Sequence, residues 1–243
     1  MGFTTLTHAL DPIASGAPPD GVRLFVEGRK ITVSWSGTAD ATGYNVKRSL
    51  ISGGSYTVIG EVDAAAGDTF YVDDGLTAGT VYYYTVSADT PSGESADAPE
   101  VSAAATEQLF GTVIGTDGSF NSAGASRETV FDGSLRNFFD GPDSASWAGL
   151  DLGEGTAATI SSIKYCPRED YADRMLGGRF QGSDTADFTA PTDLFTIVEQ
   201  PAEGFLTEAP VSIETPFRYV RYLSPDGSYG NAAEVQFFGR IER

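Results

Sequence analysis

Apolar and polar side chains alternate along much of this chain, and this period of two is what most constrains its fold. Ile31, Val33 and Trp35 fall on one face of a predicted strand. A second set shares one face of a later strand: Tyr82, Tyr84, Val86 and Ala88. The runs are short and end at turn-forming residues, of which 29 Gly and 12 Pro provide many. No stretch has convincing helical periodicity, so the pattern predicts an all-β protein.

The second half of the chain continues this pattern as a series of short apolar segments, here called phrases, which are separated by Gly, Asp, Ser and Pro. The phrases are Val130–Gly133, Trp147–Gly153, Phe180–Asp184, Arg218–Tyr222 and Ala233–Gly239. Their spacing follows no fixed period, which argues against a solenoid or propeller. We expect them to be strands of one antiparallel sandwich.

At 243 residues the chain exceeds one average domain, and its composition changes in two places. Residues 1–19 are polar, hold three prolines and show no period, so we predict an N-terminal arm or linker. Such an arm would become ordered against a neighbouring subunit. A short connector at 98–108 separates the two strand-rich parts. We therefore predict one domain at 20–106 and another at 107–243.

The charge balance excludes several classes of partner. Thirty-four acidic and 15 basic residues give a net charge of −19, which repels nucleic-acid phosphates and anionic lipid surfaces. The start of the chain lacks the basic and apolar regions of a secretory signal, and no stretch is long enough to span a membrane. We therefore expect neither nucleic acid nor membrane as a partner.

The supply of nucleophiles and bases argues against catalysis. The single histidine, His8, lies in the predicted arm, which removes Ser-His-Asp and Cys-His arrangements and any His-based zinc centre. Cys166 is the only cysteine, so it forms no intrachain disulfide, and we expect a buried thiol. Paired carboxylates are expected by chance among 34 acidic residues. The sequence predicts that this protein is not an enzyme.

The domain predicted at 20–106 resembles a fibronectin type III domain. The resemblance rests on Trp35 in an early strand, on Leu76 six residues before Tyr82, and on a late turn at Gly93–Ser95. It implies a β-sandwich in which the Tyr82 hydroxyl is satisfied by upstream backbone and Trp35 is part of the core. A spacer is the role that this resemblance implies.

The domain predicted at 107–243 resembles a galactose-binding-like jelly roll, the fold of discoidin (coagulation-factor type C) domains and of family 32 carbohydrate-binding modules. The resemblance rests on the order of the five phrases named above. It implies a sandwich of eight or so strands, whose loops at one end hold a ligand without performing chemistry on it.

The same resemblance implies a structural calcium ion. The positions that match are Asp132 in an Asp-Gly loop, Glu234 in the last strand, and Asn137 where the family often has Thr. Calcium takes six to eight oxygen ligands from carboxylates, amides and backbone carbonyls, which these residues and their neighbours can supply. The alternative is that Asp132 caps a turn through backbone N–H groups while Glu234 pairs with an arginine such as Arg136.

Sugar sites combine an aromatic surface with planar hydrogen-bonding groups. Loop segments of the second domain offer both. The candidate ligand-binding residues are Arg168, Tyr171, Arg174 and Tyr229, with Phe120 behind them. The alternative for the two arginines is a salt-bridge network with their sequence neighbours Glu169, Asp170 and Asp173. Trp147 is expected in the core.

Together these features predict a non-catalytic carbohydrate-binding or adhesion protein displayed on a surface, with the first domain as a spacer. The lack of an export signal favours a virus-particle decoration or host-attachment component. The location is then extracellular or on the virion surface, and the arm would bind other structural subunits. Two alternatives remain open: an accessory carbohydrate-binding module of a secreted polysaccharide-degrading enzyme, and a purely structural protein without ligand.

Overall fold

The computed structural model describes residues 16–242, which form two compact units, the first ending at Ala105 and the second beginning at Thr106. Both units are antiparallel β-sandwiches, which confirms the predicted fold class. Most of the predicted arm, residues 1–15, and with it His8, lies outside the described residues. Within the described part of the chain, no helix is long and apolar enough to cross a membrane.

The first unit contains eight strands in two sheets. They are β1 (Asp20–Glu27), β2 (Lys30–Ser36), β3 (Gly43–Ser49), β4 (Thr57–Asp63), β5 (Phe70–Asp73), β6 (Val81–Thr90), β7 (Gly93–Glu94) and β8 (Val101–Ala104), with a 3₁₀ turn at Ala64–Ala66. One sheet has the order β1-β2-β5. In the other, β3 pairs with β4 and β6, and β6 also pairs with β7 and β8.

The core of the first unit follows from the alternation in its sequence. The two predicted faces, on β2 and on β6, are both buried between the sheets. Trp35 packs against Tyr44 with ring centroids 5.3 Å apart. The backbone N–H of Thr77 donates to the Tyr82 hydroxyl at 3.0 Å, so this tyrosine is satisfied by upstream backbone as predicted.

A charged pair also lies at the edge of this core. Asp73 is buried at the end of β5, and Arg48 donates from Nη1 to both of its carboxylate oxygens at 2.9 Å. The buried hydroxyl of Tyr84 donates to the same carboxylate at 2.8 Å. This network ties β3 and β6 of one sheet to β5 of the other.

The second unit contains nine strands in two sheets. They are β9 (Glu107–Gln108), β10 (Thr112–Gly115), β11 (Trp147–Asp151), β12 (Ala157–Pro167), β13 (Arg179–Ser183), β14 (Thr192–Thr196), β15 (Thr207–Pro210), β16 (Tyr219–Leu223) and β17 (Ala232–Glu242). The sheet orders are β10-β11-β16-β13-β14 and β15-β12-β17-β9. Short 3₁₀ helices lie at Phe120–Ser122, Arg127–Phe131 and Ala172–Met175.

Aromatic side chains fill the space between these two sheets. Phe180 packs against Tyr222 at 5.3 Å and against Phe237 at 6.1 Å between ring centroids. Cys166 is fully buried, as expected of a lone thiol. The expectation of a core position for Trp147 is wrong. This side chain is half-buried on the other face of its sheet, where it packs against Phe188.

The strand registers bring four loops of the second unit to one end. The end of β12 pairs with the start of β17 (Pro167 with Ala232), and the end of β16 pairs with the starts of β11 and β13 through Leu223. The start of β13 in turn pairs with the end of β14. The loops at 116–146, 168–178, 197–206 and 224–231 therefore meet at one end of the sandwich.

We expect Asp73→Ala to lower the unfolding free energy of the first unit by about 2 kcal/mol, because it leaves the buried Tyr84 hydroxyl without its acceptor and the half-buried Arg48 without its ion-pair partner. Each unit holds one tryptophan, Trp35 or Trp147, so urea denaturation in a Trp147→Phe background reports the first unit alone. The matched control is Asp74→Ala at the neighbouring exposed position, expected to cost less than about 0.5 kcal/mol. Equal losses would contradict the assignment.

Candidate functional site

Two of the four gathered loops, 116–146 and 224–231, are fastened to one another by backbone hydrogen bonds. The N–H groups of Ser228 and Tyr229 donate to the Ser144 carbonyl at 3.1 and 3.0 Å, and Phe139 N–H of the first loop donates to the Ala232 carbonyl at the start of β17 at 2.8 Å. The close approach needs a glycine at 230, where φ is +86° and a Cβ would lie 2.5 Å from the Phe139 ring. The loops thus form a packed surface.

A hollow of about 360 Å³ opens in this surface. Its lining contains every ligand-binding residue predicted from the sequence and one further side chain: Phe120, Asp140, Arg168, Tyr171, Arg174 and Tyr229. The residues come from three separate loops, so their convergence is a product of the fold.

Arg168 is held rigidly beside the hollow. Its guanidinium lies between two rings, 3.9 Å from the centroid of Phe138 and 4.3 Å from that of Tyr171. Its Nη1 also donates to Asp140 Oδ2 at 2.8 Å and to Asn231 Oδ1 at 3.1 Å. Stacking and charge-assisted hydrogen bonds both fix the orientation of this planar group.

Asn231 is the centre of this polar network. It is 1% exposed, and its Nδ2 donates to Asp140 Oδ1 at 3.0 Å and to the Ser228 carbonyl at 2.9 Å. Its Oδ1 accepts from Arg168 and, at 3.4 Å, from Arg174. One buried amide therefore joins side chains from all three loops.

Arg174 is less constrained than Arg168. Its guanidinium lies 4.3 Å from the centroid of the Tyr171 ring, and its hydrogen bond to Asn231 is the long one of the network. Several of its N–H groups are therefore available to a molecule in the hollow. On the opposite wall, Phe120 and Tyr229 meet edge to face with ring centroids 5.6 Å apart.

This arrangement suits a small polar molecule with an apolar face. The aromatic wall offers ring surface, Arg174 offers donors, and Asp140 offers acceptor oxygens. The alternative predicted for Arg168, an ion pair with Glu169, Asp170 or Asp173, differs from the structure, in which Arg168 pairs with Asp140.

Sequence reasoning missed Asp140 and Asn231 as members of the site. Asp140 lies in the same long loop as the predicted Phe120, and Asn231 lies two residues after the predicted Tyr229. A signal existed, since a buried or stacked arginine needs an acceptor. Nothing in the sequence says which of 34 acidic residues provides it.

The three predicted calcium ligands also lie near one another. Asp132 Oδ1 accepts from Ser134 N–H at 2.8 Å, and its Oδ2 accepts from the Asn137 amide at 2.7 Å. The Glu234 carboxylate accepts hydrogen bonds from Gly133 N–H and from the Gln236 amide, both at 3.1 Å. Asp132 thus caps its turn, as the alternative proposed, but the partners of Glu234 are neutral groups and not Arg136.

Glu234 carries the unusual electrostatics of this region. It is 1% exposed, and burial raises the pKa of its carboxyl above the ordinary range; the hydrogen bonds from Gln236 and Gly133 lower it, and the nearby Asp132 carboxylate raises it. Within residues 16–242, no group of three or more His, Cys, Asp or Glu side chains is placed to hold a metal ion. Two carboxylates, an amide and loop carbonyls still fit a hard cation chemically.

Comparison with known proteins finds similarity over parts of the chain. No family model matches the chain. A solved structure described as a CBM62, a family 62 carbohydrate-binding module, from Clostridium thermocellum Xyl5A is 54% identical; the match covers 55% of this chain and 97% of that one, with a TM-score of 0.55. A solved Fn3-like protein from the same organism is 35% identical over 37% of this chain and 92% of that one, with a TM-score of 0.34.

A curated relative matches a shorter part of the chain. Poly(3-hydroxybutyrate) depolymerase from Ralstonia pickettii is 36% identical over 91 residues, which is 37% of this chain. The match spans only 17% of that enzyme's length.

We expect Asn231→Ala to lower the unfolding free energy of the second unit by about 2 kcal/mol, because Asp140 and Arg168 each lose a buried partner. Urea denaturation followed by Trp147 fluorescence in a Trp35→Phe background measures this unit separately. Gln200→Ala removes an exposed amide from the same unit and serves as the control, with a change below about 0.5 kcal/mol. A loss no larger than the control's would show that the network is not stabilising.

Proposed function

We propose that this chain, whose second domain belongs to the family 62 type of carbohydrate-binding module and follows a fibronectin type III-like domain, binds a glycan in the hollow lined by Arg174 and Tyr229. The observation that carries the proposal is the convergence of arginine, carboxylate and aromatic side chains on one hollow. The 54% identity to a carbohydrate-binding module over nearly its whole length supports it.

In this proposal each wall of the hollow has a distinct task. Tyr229 and Phe120 pack against the C–H-rich face of a sugar ring, which removes apolar surface from water. Arg174 donates to neighbouring hydroxyl oxygens, and Asp140 accepts from hydroxyl groups. Arg168 and Asn231 hold these groups in position, so little side-chain freedom is lost when the sugar binds.

In this proposal the two domains bind or position a glycan and do not catalyse a reaction on it. Both are of non-catalytic types that accompany enzymes. A shallow site for a single sugar gives dissociation constants of about 10⁻⁴ to 10⁻³ M, some 4–5.5 kcal/mol. Useful retention on a polysaccharide then comes from a tethered partner or from several copies, through effective concentration.

The most economical context is an accessory module of a secreted polysaccharide-degrading enzyme, with the first domain as a spacer. The family of the second domain supports that context. The match to a polyester depolymerase, of which this chain spans a small part, supports only the association with an enzyme. The location is then extracellular. Nothing in the comparisons points to a virus particle, so the expectation of a particle component or adhesin receives no support.

A calcium ion fits beside this site as a structural element. Asp132, Asn137 and Glu234 would hold it, together with carbonyls of the 130–134 loop. When bound, the cation would neutralise two facing carboxylates and tie this loop to β17. The buried Glu234 carboxylate, whose hydrogen-bond partners are neutral, is the observation that supports it.

Replacing Arg174 or Tyr229 by Ala should weaken glycan retention at least tenfold, or about 1.4 kcal/mol, without changing the melting temperature. A glycan array identifies the ligand, and electrophoresis through gels cast with the matching polysaccharide measures retention. Arg240→Ala, at the opposite end of the same domain, is the control and should migrate as wild type. Unaltered retention in both variants would remove this hollow from the binding site.

Glu234→Gln should change the melting temperature in opposite directions with and without calcium. In EDTA at pH 7.5 the variant should melt a few degrees above wild type, because it lacks the buried charge. In calcium the wild type should gain more than the variant. Because the folded-state pKa of Glu234 is raised, the contribution of this residue to the stability of the metal-free wild type is fully present below the ordinary pKa near 4.5 and is lost as pH rises through the raised value.

The control for this experiment is Arg136→Ala, an exposed change in the same loop that leaves the three oxygen ligands in place. It should respond to calcium as wild type does. A wild-type melting temperature that is identical in EDTA and in calcium would end the calcium proposal.

A further inference from the structure

A second hollow of about 260 Å³ lies at the same end of the second domain. It is formed mainly by the loop at 197–206 and the start of β15, with lining residues that include Tyr165, Phe195, Val198, Glu199, Gln200 and Glu208. Its walls therefore combine aromatic and aliphatic surface with an amide and carboxylates. None of these residues belongs to the first hollow.

The two hollows are close neighbours. Tyr165 of the second and Arg168 of the first are three residues apart at the end of β12, so their Cα atoms are at most about 10 Å apart. The loop that carries Arg174 is also bonded directly to the second hollow's loop. Gly177 N–H donates to the Ile197 carbonyl at 2.8 Å, and Ile197 N–H donates to the Gly178 carbonyl at 2.9 Å.

The loop at 197–206 is anchored but presents apolar side chains to water. Ile197 and Pro201 are buried, and Ile197 exchanges backbone hydrogen bonds with Gly177 and Gly178. Yet Val198 is 78% exposed and Phe205 is 71% exposed, two residues before Thr207 on the hollow's wall. Val198 lines the hollow, so its exposed side chain offers apolar contact surface to a bound molecule.

The charges around the second hollow differ from those around the first. Glu199 and Glu208 line the second hollow, and Glu203 lies on its loop. The nearby cation Lys164 forms an ion pair with Glu208, with 3.8 Å between Nζ and Oε2. The first hollow, by contrast, contains two arginines. A surface with this acidic rim favours neutral hydroxylated ligands and repels uronates.

We propose that the 197–206 loop forms a second sugar subsite, which binds a further neutral sugar unit of the glycan whose first unit occupies the arginine-lined hollow. The inference rests on the proposed function. The occupant follows from continuity with the first hollow, from the apolar side chains of Val198 and Phe205, and from the acidic rim. The site therefore reads at least two consecutive units of a neutral glycan.

The test compares monosaccharides with their trisaccharides by isothermal titration calorimetry on the full chain. The probes are galactose, xylose and mannose with the matching neutral trisaccharides, and galacturonic acid with its trisaccharide. For the sugar that binds, the wild-type trisaccharide affinity should exceed the monosaccharide affinity at least tenfold. Phe205→Ala should reduce the trisaccharide affinity at least fivefold, whereas Arg174→Ala should weaken both ligands.

The matched control is Phe110→Ala, which removes an equally exposed phenylalanine, 75% exposed, at the opposite end of the domain. It should change neither affinity. A monosaccharide that binds without any gain for its trisaccharide would overturn the second subsite and leave the proposed function standing. Binding of galacturonic acid and of no neutral sugar would overturn the neutral subsite alone, whereas binding of none of the probes would count against both.

Two further outcomes also count against the subsite. A stronger gain with the uronate trisaccharide would contradict the neutral assignment. Sedimentation that reveals a concentration-dependent dimer, lost in Phe205→Ala, would assign the exposed loop to a second copy of this chain instead.

Discussion

The hydrogen bonds of one buried amide, Asn231, hold together the binding end of the second domain. Three loops that are far apart in sequence meet there, and each brings a polar group that would be costly to bury alone. Asp140 neutralises Arg168, and Asn231 offers a donor to the first and an acceptor to the second. Without this amide the loops would lose their common partner, and the aromatic walls would lose their fixed separation.

A site built in this way is organised before any ligand arrives. Arg168 is stacked between Phe138 and Tyr171, so its planar group has little freedom left to lose. Weak sugar binding depends on such preorganisation, because each newly ordered side chain would subtract from a small binding energy. The loop that carries Asp140 is also tied to β17, because Phe139 N–H donates to the Ala232 carbonyl.

The buried Glu234 and the exposed loop at 197–206 are departures from ordinary burial, and both lie in the second domain. A carboxylate inside a sandwich normally has a cationic partner, whereas Glu234 faces amide and backbone N–H groups. A large apolar side chain normally lies inside, whereas Phe205 faces water. Each departure favours something that binds there, a cation in the first case and a sugar unit in the second.

The sequence by itself determined the faces of the strands, because side chains in a strand alternate with period two wherever one face is buried. That is why the cores around Trp35 and Tyr82 could be predicted, and why residue type alone selected the arginines and tyrosines of the loops. The tertiary structure decided which of those side chains meet. Asp140 became the partner of Arg168, and Trp147 went to the outer face, because loop closure and strand register depend on contacts between distant residues. The second hollow has the same origin: it exists only once β12 is paired with β15 in one sheet and β14 with β13 in the other.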